Sequence, residues 1–120
     1  MINALRDQLL QAFAYILTNV RTSPCPADVL RYAGRILARA SHQLGYTIPE
    51  PEAGRDAEFY KGWIFRETGP LNQATEAYRV KDGGMTTALP FANTVSRLIR
   101  DCKVQDSDLS LDLPAEEGQA

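Results

Sequence analysis

Only two of the 120 residues are cysteine and only one is histidine. Cys25 and Cys102 form no CxxC pair, and with His42 they cannot fill a tetrahedral Cys/His zinc site. Nothing in their spacing recommends a disulfide between them, so the expectation is a reduced, intracellular location. The opening Met-Ile-Asn-Ala-Leu-Arg-Asp lacks the basic-then-apolar pattern of a secretory leader. No apolar run approaches the roughly 20 residues that cross a bilayer, so no membrane partner is expected. Thirteen Lys and Arg against fifteen Asp and Glu leave a net charge of −2. That excess is of the wrong sign for a nucleic-acid-coating protein or a polybasic membrane binder, and no direct nucleic-acid binding is expected. Lys81-Asp82-Gly83-Gly84-Met85 lacks the phosphate-loop pattern and reads as a turn. With neither a metal nor a nucleotide signature, no cofactor is expected.

What the chain does have is helical periodicity. Ile2, Leu5, Leu9, Ala12 and Ile16 recur at spacings of three and four, which predicts a first helix over 2–22 with a heptad-like seam. Ser23-Pro24-Cys25-Pro26 ends it, because proline cannot continue the hydrogen-bond ladder. Pro26 suits the first position of a second helix, which runs to Leu44 with Asp28 in its first turn and Gly45 as its cap. Val29, Ala33, Ile36, Ala40 and Leu44 line one face of it. Arg31, Arg35 and Arg39 form a basic stripe on another, read as a solvated face.

Residues 46–55 hold a Pro-Glu-Pro core and are expected to be extended. A third, short helix starts at Asp56 and stops at Gly69-Pro70. It carries Phe59, Tyr60, Trp63 and Phe65, too many aromatics for one face of a short helix, so core packing and interface use are equally expected. Gly62 beside Trp63 suggests close packing. Gln73–Val80 reads as a turn or two of helix, and Asp82-Gly83 as a turn or short hairpin. Pro90 is expected to begin a fourth helix, with Phe91, Val95, Leu98, Ile99 and Cys102 on one face.

Residues 105–120 contain five acidic residues and no Lys or Arg, so the preceding body is +3. The organisation is one helical domain over 1–104 and an acidic, disordered tail over 105–120. Catalytic chemistry finds little footing. His42 has no partner spaced for an acid–base signature. Cys25 at a helix N-terminus is the only nucleophile candidate. Glu50, Glu52, Asp56 and Glu58 read as a solvated loop.

The stretch Ala27-Asp28-Val29-Leu30-Arg31-Tyr32-Ala33-Gly34-Arg35-Ile36 resembles the segment that follows the coiled coil in the Mediator complex subunit 4 family. Glu58-Phe59-Tyr60-Lys61-Gly62 is similar to a later motif of that family, with Tyr60 where Arg is usual. The resemblance covers residues 5–66. It implies that helix 2–22 is the end of a longer coiled coil. It also implies a non-catalytic subunit that helps carry signals to RNA polymerase II, located in the nucleus.

The expected fold is mainly α: an antiparallel helical hairpin of 2–22 against 26–44, an extended Pro-containing connector, two shorter helices and a flexible acidic tail. Such a hairpin leaves apolar stripes uncovered, so other protein subunits are the expected partners. Leu5, Leu9, Ile16, Val29, Tyr32, Ile36, Phe59 and Trp63 are the expected contact positions, and periodicity does not separate contact from core. Two rival readings remain. One is a small helical enzyme or ligand-binding protein in which His42, Cys25 and the carboxylates near Glu58 converge. The other is a small adaptor or assembly protein of bacterial or phage type.

Overall fold

The computed structural model describes residues 2–52, 54–73 and 82–109. Among the described residues four long helices follow one another: α1 (Ile2–Val20), α2 (Ala27–Gln43), α3 (Ala57–Gln73) and α4 (Asp82–Asp101). Among the described residues there is no strand, and the mainly-α fold is as expected. The packing partners inside it differ from expectation. α3 and α4 each pack on both α1 and α2, whereas α1 and α2 lie across the bundle from each other with little direct contact. The short connection between α1 and α2 therefore joins opposite members of the bundle rather than a packed hairpin. The later helices are not the shorter ones either: α3 matches α2 at 17 residues and α4 is the longest at 20.

α1 turns its apolar stripe inward, and Leu9, Phe13, Ile16 and Val20 are buried at spacings of three and four. Pro24 and Pro26 then straighten the chain. Pro26 is the N-cap of α2 rather than its first residue, with extended backbone and its carbonyl accepting from Leu30. α2 ends in a Schellman arrangement: Tyr46 N–H donates to Ser41 O at 3.0 Å and Gly45 N–H to His42 O at 2.9 Å. Gly45 takes the left-handed φ of +90° that this cap requires.

Residues 46–52 carry neither helix nor strand, Gly54 turns with a φ of +86°, and Tyr46 and Ile48 pack against the core from this connector. Asp56 caps α3 as expected, accepting from Phe59 N–H at 2.9 Å. α3 does not stop at Gly69-Pro70 but runs to Gln73. A proline this close to a helix end removes one hydrogen bond, that to the Arg66 carbonyl, and one more turn tolerates the loss. Likewise Pro90 lies inside α4, and Asp82-Gly83-Gly84 belongs to its first turn instead of a hairpin. First-turn N–H groups have no intrahelical partner, so glycines cost least there. The expected turn of helix at Gln73–Val80 falls mostly outside the described residues.

Gly34 marks the crossing of α2 and α3. A Cβ at this position would sit 3.1 Å from both Trp63 Cζ3 and Pro51 Cγ, so only glycine lets the indole seat on the helix backbone. Gly62, expected to mark close packing, has open space where its Cβ would be. The correction follows from face: Trp63 points into the core, and its neighbour one position back on the helix points out.

The two cysteines are joined, with Cα atoms 4.8 Å apart. Cys102 ends α4 in the left-handed region at φ 56°, its N–H donating to Leu98 O at 2.7 Å. Cys25 is buried between α2 and the end of α4. Spacing along the chain says nothing of proximity across a bundle, so the sequence does not suggest this pairing. Beyond it, residues 106–109 form one helical turn docked on the body, so this first part of the tail is held. Residues 110–120 lie outside the described residues.

Candidate functional site

The expected contact positions do not gather on the surface. Leu9, Ile16, Val29, Tyr32, Ile36 and Trp63 are buried within the chain's own core, and Leu5 and Phe59 are half-buried against it. Six of the eight therefore pack inside this chain's own core, while Leu5 and Phe59 keep part of their surface exposed. α3 and α4 supply the cover that the first two helices were expected to seek elsewhere.

The basic stripe also resolves differently. Arg31 and Arg35 are half-buried. Arg39 is only 8% exposed and lies 4.0 Å from Glu50 on the connector. The guanidinium thus works as a tie between α2 and the connector, not as a solvated face. Of the aromatic group, Tyr60 and Trp63 are core. Phe65 is half-covered by Arg21, whose guanidinium carbon stands 3.7 Å from the ring centre, and Phe59 by Arg55 at 4.8 Å.

The enzyme reading required His42, Cys25 and Glu58 to meet. Cys25 is buried and disulfide-bonded, so it has no thiolate to offer. His42 and Glu58 are exposed, the first at the end of α2 and the second in the first turn of α3. Among the described residues no group of three or more His, Cys, Asp and Glu is placed to hold a metal ion. No helix among them is long and apolar enough to cross a membrane.

A shallow groove of about 430 Å³ runs between α1 and α4, lined by Gln8, Gln11, Ala12, Tyr15, Asn93, Ser96 and Arg100. Its construction follows from helical spacing. Residues 8, 11/12 and 15 form one stripe on α1, and 93, 96 and 100 form one on α4. The floor is made by small side chains: Ala12 is buried, and Ser96 Oγ lies 3.3 Å from Ala12 O and 3.1 Å from Ala92 O. Small residues bring the helix backbones together, so the longer side chains stand up as walls. Tyr15 is one of two large apolar side chains exposed among the described residues, the other being Leu109.

Charge at the groove is limited to one end. Arg100 Nε donates to Asp101 Oδ1 at 2.8 Å. That hydrogen bond raises the Arg100 pKa above its ordinary value and holds the Asp101 carboxyl below the usual carboxylate range. The rest of the wall is uncharged: two glutamines, one asparagine, a serine hydroxyl and a phenol. Primary amides donate and accept at once, which suits them to a polypeptide main chain. None of these positions stood out in the sequence, since a polar stripe on an amphipathic helix is what any solvated face looks like.

No family model, no curated protein and no solved structure matches the chain.

Proposed function

We propose that the chain is a non-catalytic interaction subunit that holds a segment of a partner protein in the α1–α4 groove. The observation that carries this reading is the groove's lining: amide side chains from both helices around the exposed Tyr15. Amides match main-chain N–H and C=O groups, and an exposed tyrosine adds an amphipathic anchor of the sort enriched at interfaces. The lining offers hydrogen bonds and one aromatic face rather than a nucleophile with its base.

The finer form of this reading is a subunit of the Mediator transcription complex, acting in the nucleus. It rests on the similarity of Ala27–Ile36 to that family. The Cys25–Cys102 disulfide weighs against it, because nuclear thiols are kept reduced. The same bond favours a second form, a small helical adaptor or assembly protein working in an oxidising compartment.

Affinity purification of the tagged chain from its native cells, followed by mass spectrometry, separates these forms. The expected result is a defined set of partners that is lost in a Tyr15→Asp/Asn93→Arg double variant of unchanged thermal stability. Recovery of other Mediator subunits selects the first form, and recovery of proteins from an oxidising compartment selects the second. A chain recovered alone, as a stable monomer, overturns the proposal.

A further inference from the structure

We propose that Arg97 and Tyr32 form a binding site for an acidic residue of a partner peptide, and that Asp108 of the same chain occupies it as an internal ligand. This surface lies between α2 and α4 and does not depend on the α1–α4 groove.

The geometry is that of a receptor and its occupant. Arg97 Nη2 lies 2.5 Å from both carboxylate oxygens of Asp108. The Tyr32 hydroxyl donates to the main-chain carbonyl of the same residue. One residue is therefore read twice, by its charge and by its backbone, and Asp108 is left 5% exposed. The turn around it is self-capped: Asp108 Oδ2 accepts from Gln105 N–H at 2.8 Å, and Asp108 N–H donates to Gln105 O at 2.9 Å. The Asp108 side chain thus supplies one half of a capping box, and the second bond is the main-chain bond that closes the turn; a segment that places Asp three residues after its helix start can present both.

Three features mark the occupant as exchangeable. A single helical turn has no stability of its own, so 106–109 is held by what it docks on. The docking is polar, since Leu109, the large apolar residue of the turn, stays 47% exposed. Arg97 Nη1 is enclosed and has no hydrogen-bond partner, so the internal ligand leaves one donor of the site unmet. A peptide carrying the same carboxylate and carbonyl, with one further acceptor, would satisfy the arginine more fully. What favours Asp108 in the resting chain is its tether. It follows the end of α4 by only a few residues, which gives it a high effective concentration at the site.

The test uses the full chain and a blocked peptide, acetyl-Gln-Asp-Ser-Asp-Leu-amide, that copies residues 105–109. In an Asp108→Ala variant the peptide should bind saturably by NMR titration, shifting the Arg97 Nε–H and Tyr32 signals. Affinity for the unaltered chain should be about tenfold weaker, since the internal ligand competes. A peptide with its second Asp replaced by Asn should also lose about tenfold, and Arg97→Gln in the Asp108→Ala background should abolish binding. In the unaltered chain, excess peptide should speed hydrogen exchange at the Asp108 amide while the Asn peptide does not. That measurement decides the matter should Asp108→Ala fail to fold. Equal binding of Asp and Asn peptides, no binding by a folded Asp108→Ala chain, or exchange at Asp108 unmoved by the peptide would each overturn the proposal.

Discussion

α1 and α2 look alike in sequence and behave differently in the fold. Both are amphipathic, of similar length, and α1 is the more apolar of the two. Yet α1 buries a single stripe and leaves Gln11, Ala14, Tyr15 and Thr18 in solvent. α2 buries eleven of its 17 residues, including Tyr32, Gly34, Arg39 and Ser41. The difference comes from what covers each helix. Among the described helices, α1 is covered mainly by α3 and α4. α2 is covered by the same two helices and, on its outer side, by the connector through Pro51 and Glu50 and by the turn that brings Asp108 to Tyr32. Burial is thus a property of neighbours, and a helix with three arginines becomes the inner one because its buried polar side chains Tyr32, Arg39 and Ser41 each meet a partner.

The largest expected effect tests how the junction between these helices is held. The disulfide closes a loop with a sequence separation of 77, for which chain-entropy reasoning gives about 4–5 kcal/mol of stabilisation. A Cys25→Ser/Cys102→Ser chain should show that loss in denaturant unfolding. Hydrogen exchange should rise more in α1, held by one stripe, than in α2. Equal loosening of the two would mean that burial does not order their local stability.

Next comes a pair of truncations. Ile36→Ala, in the fully buried heart of α2, should cost about 2–5 kcal/mol. Tyr15→Ala on the exposed side of α1 should stay within about 0.5 kcal/mol while weakening partner recovery. Thermal or chemical denaturation of the two variants side by side would show whether the asymmetry is energetic as well as geometric.

A smaller contrast sharpens the same point with two glycines. Gly34→Ala places a methyl group 3.1 Å from Trp63 and Pro51, and should destabilise by about 1–3 kcal/mol. Gly62→Ala, with open space at its Cβ, should stabilise α3 by up to about 1 kcal/mol. Opposite signs in one unfolding assay are the expected outcome.

The smallest effect is electrostatic. The Asp101 carboxyl is held below its ordinary range, first by its hydrogen bond from Arg100. A depressed folded-state value means that the contribution is present above the unfolded-state pKa and is lost as pH falls through the folded one. Asp101→Asn should therefore lower the melting temperature slightly at neutral pH, and the difference from the unaltered chain should vanish as pH falls through the range in which Asp101 is protonated. The pair is exposed, so the change should shrink further in high salt.

The sequence was informative where structure is local. The seam Leu9–Ile16, the proline break at 24–26, the Asp56 cap and the Gly45 cap all depend on residues within one turn of each other, and each stands in the fold as read. Proline positions misled where a helix absorbed them, at Pro70 and Pro90, because the cost of one missing hydrogen bond is set against tertiary packing that periodicity does not contain. The groove was not legible at all. Gln8, Gln11 and Tyr15 become a wall only because Ala12 and Ser96 let α4 approach, and that approach joins residues more than eighty positions apart.

By itself, then, the sequence determined that this protein is built of helices and where most of them begin, since capping chemistry and a 3.6-residue period act over a few residues. Tertiary structure alone decided that α1 and α2 face each other across α3 and α4, that Cys25 meets Cys102, and that Gly34 rather than Gly62 receives Trp63. It also decided that Asp108 returns to Arg97 and Tyr32. The physical reason is common to all of these. Each joins groups distant along the chain, and only the packing of the whole core fixes which distant groups become neighbours.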